Sequence, residues 1–222
     1  MYCICPASVG LAPLGRGLGG AKLRALPVGR LAAVYSRHRS LQIRPEAEQV
    51  LGHERVIESF LPRDPVLPLR FGTRFEREQQ LVDVLVRRGD ELSALLEQVR
   101  GHVELGVRVI PTEADTWVGP ARPPNGPPPS SGRDALLARV ARHNRVQEIS
   151  LRLHAPLAEL AAASTVREFP RPPALLVSSY LVGDGHVDTF RRRAAQLAAA
   201  QPDVRVLITG PWPPYSFAEA GR

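Results

Sequence analysis

Cysteine is nearly absent: the 222-residue chain has two, Cys3 and Cys5, a single residue apart. Such a pair makes no disulfide framework, and no second Cys/His pair follows at zinc-finger spacing, so no metal site is expected. On a strand the two thiols face one side, which suits a small buried pair in a reducing cytoplasm. Aromatic residues are only 5% of the chain, which leaves little to stack on nucleobases. Lysine occurs once, at Lys22, so the net charge of +7 is carried by arginine. No stretch of 18 continuous apolar residues exists, and no membrane span is expected. The N-terminus has no basic region followed by an unbroken apolar run, so no secretory signal is expected.

Proline and glycine, at 22 and 18 residues, are plentiful and clustered, so they punctuate the chain. Hydrophobic residues make up 44% and charged residues 23%, ordinary for a folded protein of one large or two small domains. The arginine excess has two readings. It can reflect the base composition of a genome, or attract an acidic partner. Its clusters, Arg139/Arg142/Arg145 and Arg191/Arg192/Arg193, lack the recognisable module of a nucleic-acid site, although a basic nucleic-acid-binding protein stands as the alternative function.

Periodicity predicts strands at Tyr2–Ile4, Arg30–Tyr35 and Val66–Phe71, with a Gly-rich loop near 15–20. A helix opens at Pro45 and stops at Pro62. Thr73 and Glu76 have capping-box spacing. A helix from there to Gly101 carries Leu81, Leu85, Leu92, Leu96 and Val99 on one face, with Gly89 weakening its middle. Val103, Leu105, Val107 and Val109 alternate as a fourth strand. Residues 112–132 are rich in proline and predict a stiff extended linker. Beyond it come a helix from Asp134 to about Ala163, bent near Pro156, a strand at Ala174–Val182, a helix at His186–Gln201 and a strand at Val204–Thr209. The expected architecture is α+β: an N-terminal domain at 1–111, the linker, and a C-terminal domain at 133–222. Both domains are expected to be small ferredoxin-like sandwiches, mostly antiparallel, with helices on one side of the sheet.

Catalytic patterns are missing. The six histidines share no common spacing. His53-Glu54 has Ile57 where a zincin places its second ligand, no Gly-x-Ser-x-Gly elbow occurs, and the glycines at 15–20 lack a P-loop lysine. Carboxylate pairs such as Glu46/Glu48 fall near helix starts, where they complement the dipole. No enzyme and no cofactor are expected.

Two stretches concentrate unusual residues. In Val66–Thr73, Arg70 and Phe71 follow an apolar run, and a charge in such a strand needs a salt-bridge partner or else serves a partner contact. In Thr209–Phe217, the prolines hold the backbone extended while Trp212, Tyr215 and Phe217 present large amphipathic surfaces. That segment, with Pro213 and Pro214, reads either as a clamp over the sheet or as an apolar recognition surface.

At these two stretches the chain resembles the gas vesicle GvpL/GvpF family. The ending Thr-Gly-Pro-Trp-Pro-Pro-Tyr-Ser-Phe at 209–217 and the run Leu-Pro-Leu-Arg-Phe-Gly-Thr at 67–73 are the family's signatures. Gly29–Val34, His53–Glu58, Val103–Val109 and Ser179–Val182 match in the family's order. The resemblance implies a minor, non-catalytic gas vesicle protein in the cytoplasm that acts in shell assembly. It would bind the small hydrophobic shell protein and other accessory proteins, with no nucleic acid. Arg70, Phe71, Trp212, Pro213, Pro214, Tyr215 and Phe217 are the expected partner-binding residues.

Overall fold

β1 (Cys3–Pro6) lies inside a sheet, hydrogen-bonded on both sides, which is why so short a segment is apolar on both faces. It runs antiparallel to β3 (Leu31–Ser36) and to β4 (Leu67–Pro68), while β2 (Leu23–Val28) closes the far side against β3 in the order β2-β3-β1-β4. The computed structural model describes residues 1–9, 15–38, 45–61, 64–112, 132–168 and 174–218. The expected proline linker therefore falls almost wholly outside the described residues. The chain divides into two compact units, one of Met1–His102 with Trp212–Arg222, the other of Val103–Pro211.

In the first unit, Cys3, Cys5, Ala32 and Val34 pack against Val56, Ile57 and Phe60 of α1 (Ala47–Glu58) and the turn after it. Register places Ile4 opposite Leu67 and Ala33 on the reverse face. Here α3 (Gly89–Val99) meets β1 and β4, and α2 (Glu78–Arg87) meets β2. Helices thus cover both faces, not one as expected, because alternate residues of β1 and β3 are apolar throughout. The sequence reading also omits β2. Pro27 and the exposed Arg24 break its pattern, which an edge strand tolerates.

The expected helix from Thr73 to Gly101 is two helices that break at Arg88, whose φ of −108° and ψ of 15° leave the helical region. Gly89 follows directly, at the weakest helix former of the segment. Nor does Thr73 cap: its hydroxyl donates to the Arg70 carbonyl, and Gly72 takes a φ of +87° in that turn. The helix starts five residues later. There the Gln80 side chain accepts hydrogen bonds from the backbone N–H groups of Glu76 and Arg77 at 3.0 and 3.2 Å.

The second unit has the same strand order, β6-β7-β5-β8. Its strands are β5 (His102–Pro111), β6 (Ala163–Glu168), β7 (Leu176–Gly183) and β8 (Val204–Trp212), and β6 runs antiparallel to β7. β5, assigned from sequence to the N-terminal domain, belongs to this sheet: Val109 O accepts from Leu175 N at 2.9 Å. Leu105, Val107 and Val109 form a core with Val146, Ile149, Leu153 and Leu157 from one helical stretch and Phe190 and Ala194 from α6 (Val187–Ala199). That stretch is α4 (Gly132–Ile149), a π-helical turn at Ser150–His154, and α5 (Ala155–Ala158). Pro156 has no N–H to give, and the bonding widens one turn earlier, where Ala155 N–H reaches Ser150 O. In place of the bend expected near Pro156, the structure has a change from α to π hydrogen bonding. The helix also ends sooner than Ala163, because Ala163–Glu168 is the unforeseen β6.

Candidate partner-binding surface

The first signature stretch and the Trp212–Phe217 part of the second lie in the first unit, where β4 packs against the 3-10 turn at Tyr215–Phe217. The chain ends β8 at Trp212 and then joins the first unit, so the aromatic-proline segment does not belong to a C-terminal domain at 133–222 as the sequence suggested. Pro213, Pro214 and Phe217 are buried, the last at 7% exposure. Tyr215 is half-buried against the Tyr2/Cys3/Val56 core, and its hydroxyl donates to Glu54 Oε2 on α1 at 2.6 Å. Burial and Glu54 together raise the Tyr215 phenol far above its ordinary value, so it stays a donor. Burial raises the Glu54 carboxyl too, while the phenol's hydrogen bond opposes that rise. Of the aromatic residues in this run, only Trp212, 44% exposed, faces solvent broadly. Just before it, Arg191 Nη2 donates to Gly210 O at 2.6 Å and braces the end of β8 within the second unit.

The other stretch is pinned from α1 as well. His53 is 3% exposed, and its Nε2–H donates to Leu69 O at 2.8 Å, which fixes the tautomer. Its ring stacks on Tyr2 at 5.1 Å and meets Phe71 edge-on at 5.7 Å. Burial lowers the His53 pKa, partly offset by the Leu69 carbonyl, so the ring is held neutral. Tyr2 OH in turn accepts from Leu18 N at 2.9 Å and bonds Ser36 Oγ at 2.8 Å. Arg70 lies beyond the two-residue β4 with its side chain exposed, so the desolvation cost that made it conspicuous in an apolar strand does not arise.

The arrangement brings Phe71, Pro213, Pro214, Tyr215 and Phe217 into one unit, and leaves Arg70 and Trp212 as the exposed members of the set. The sequence gives no local signal of the Tyr215–Glu54 bond, which joins residues 161 positions apart. Among the described residues, no cluster of three or more His, Cys, Asp or Glu side chains could hold a metal ion. No helix among them is long and apolar enough to cross a membrane.

Two of the arginine clusters also resolve. Arg142 Nη2 donates to Ala174 O at 3.3 Å and Arg145 pairs with Asp203, so both brace the second unit. Arg139 and the trio Arg191–Arg193 are exposed.

The family model described as gas vesicle synthesis protein GvpL/GvpF matches residues 1–219. Gas vesicle protein L of a Streptomyces species is 30% identical over 98% of this chain and 91% of its own length. Gas vesicle protein F2 of Halobacterium salinarum is 29% identical, covering 91% of this chain and 83% of its own. The crystal structure of GvpF from Anabaena sp. PCC7120 superposes with a TM-score of 0.82 at 17% identity, over 100% of this chain and 95% of that one.

Proposed function

The chain belongs to the GvpL/GvpF family of gas vesicle proteins, and on that premise we propose that it is a non-catalytic accessory protein of gas vesicle assembly that holds the small hydrophobic shell protein before polymerisation. The observation that carries this reading is the match along nearly the whole chain, residues 1–219. A shell subunit with large apolar surface aggregates unless a soluble partner covers it, and a folded accessory protein with an exposed apolar site fits that need. Arg70 and Trp212 are the members of the expected contact set that a partner can reach, and exposed arginines of α4 and α6 suit acidic accessory proteins. The protein works in the cytoplasm, at the forming vesicle, without cofactor or nucleic acid.

We read the second unit as ferredoxin-like and the first as sharing its strand order but with helices on both faces. The support is the shared strand order and, in the second unit, the succession strand, helix, two strands, helix, strand.

Co-expression with the shell protein tests the contact. The tagged chain should bring soluble shell protein through affinity purification, and Trp212→Ala should reduce the recovered shell protein without changing the circular dichroism spectrum. Shell protein that remains in the insoluble fraction, with none recovered on the tagged chain, refutes it.

A further inference from the structure

The largest exposed apolar residues are unevenly placed. Leu136, Leu137 and Val140 on α4 and Leu151 in the π-helical turn are 60%, 56%, 48% and 72% exposed. Leu136, Val140 and Leu151 are separated by 4 and 11 residues, which keeps them on one stripe, about 22 Å long at helical rise. The opposite side of the same helix, Val146 and Ile149 continuing to Leu153, is buried in the second core. Among the described residues, then, α4 is apolar on two faces and buries one of them. Asn144 and Gln147 interrupt the outer stripe at its middle, and both are exposed.

Charge surrounds this outer face. Arg133 and Arg139 are exposed beside Leu136 and Val140, and Arg152 is exposed beside Leu151, where it pairs with Glu148 at 2.7 Å. We propose that this face of α4 docks an acidic amphipathic helix from a partner protein, leucine-type side chains against Leu136, Val140 and Leu151, carboxylates against Arg133 and Arg139. The chain's net charge of +7 draws such a partner in. A second copy of this chain is the poorer occupant, since pairing α4 with α4 sets Arg133 and Arg139 against their own kind. A lipid surface is poorer too. The helix has no Trp, Tyr or Phe to anchor at a membrane interface. The central Asn144, which is exposed, suits a partner that returns a hydrogen bond.

This inference rests on the assembly reading only for the source of the partner; the surface itself is tested with a synthetic probe. A fluorescein-labelled peptide helix, leucines on one face and glutamates flanking them, is titrated with the full chain and followed by fluorescence anisotropy. A second peptide carries lysines in place of the glutamates. The glutamate peptide should bind, more weakly as salt rises, and the lysine peptide should not. Leu136→Glu with Val140→Glu should weaken binding by about tenfold or more. Arg133→Glu with Arg139→Glu should do the same and transfer preference to the lysine peptide. All four positions are exposed, so both variants should keep the parent's circular dichroism and melting temperature. Equal binding of the two peptides, binding of neither, or recruitment to phosphatidylglycerol vesicles without peptide binding overturns the proposal. Peptide failure alongside intact shell-protein recovery removes this site and leaves the assembly function standing.

Discussion

Tyr215 donates a 2.6 Å hydrogen bond to Glu54 and so ties the last described turn of the chain to its first long helix. The buried Pro213, Pro214 and Phe217 around it make this end a structural strap on the first unit, with Trp212 as its outer, solvent-facing member. Of the two meanings the sequence left open for the aromatic-proline run, burial gives the clamp most of the segment.

The strap's contribution is measurable. Tyr215→Phe keeps the ring and removes the donor, leaving a half-buried Glu54 carboxylate without it, and should cost about 1–2 kcal/mol in denaturant unfolding. The double variant with Glu54→Gln should recover part of that loss, because a neutral amide no longer needs a charge-assisted donor. Equal stability of Tyr215→Phe and the parent refutes the assignment.

Gly17 sits where a Cβ would lie 2.2 Å from Tyr2 OH and 2.8 Å from Leu23 Cδ2. Tyr2 cannot retreat easily, since its hydroxyl holds both Ser36 and the Leu18 N–H. Gly17→Ala should therefore destabilise the first unit by about 1–3 kcal/mol. An unchanged thermal transition contradicts this packing.

His53 gives a pH dependence of definite sign. Burial lowers its pKa in the folded state below the ordinary histidine value. The unfolded chain therefore takes up a proton first as pH falls, and stability present above about pH 6.5 declines below it. His53→Gln can keep a donor towards Leu69 O while removing the titration. Chemical denaturation at several pH values should show a shallower loss between neutral and mildly acidic conditions in the variant. A slope equal to the parent's would show that His53 does not titrate with unfolding.

The two thiols should be inert in the folded protein. Both are buried and free, and burial pushes Cys5 up to about 12 and Cys3 well above the ordinary range. Little thiolate is present at neutral pH, so a thiol reagent should modify neither until denaturant is added. Rapid native modification would contradict their placement.

The sequence was most legible where periodicity is strong and local. The alternation through Leu105, Val107 and Val109, the apolar face of Leu81 to Val99, and the mixed α+β class could all be read directly. What failed depends on distant partners. β2 is held as an edge strand by its pairing with β3 despite Pro27, and β6 exists because β7 offers it a complete antiparallel register. β5 looked like the close of the first domain because it precedes a proline-rich stretch, yet its hydrogen bonds lie in the second sheet. Arg70 drew attention as a charge in a strand whose true length is two residues. The likeness to GvpL/GvpF proteins was readable from motifs alone, whereas the docking face on α4 was not. Its exposed leucines look like core residues until the buried side of the helix is known.

The assembly role is tested most directly in cells that make gas vesicles, by deleting this coding sequence and imaging thin sections. Vesicles should be lost or severely reduced, and should return when the intact chain is supplied from a plasmid. Vesicles of normal number and shape in the deletion strain would contradict the account.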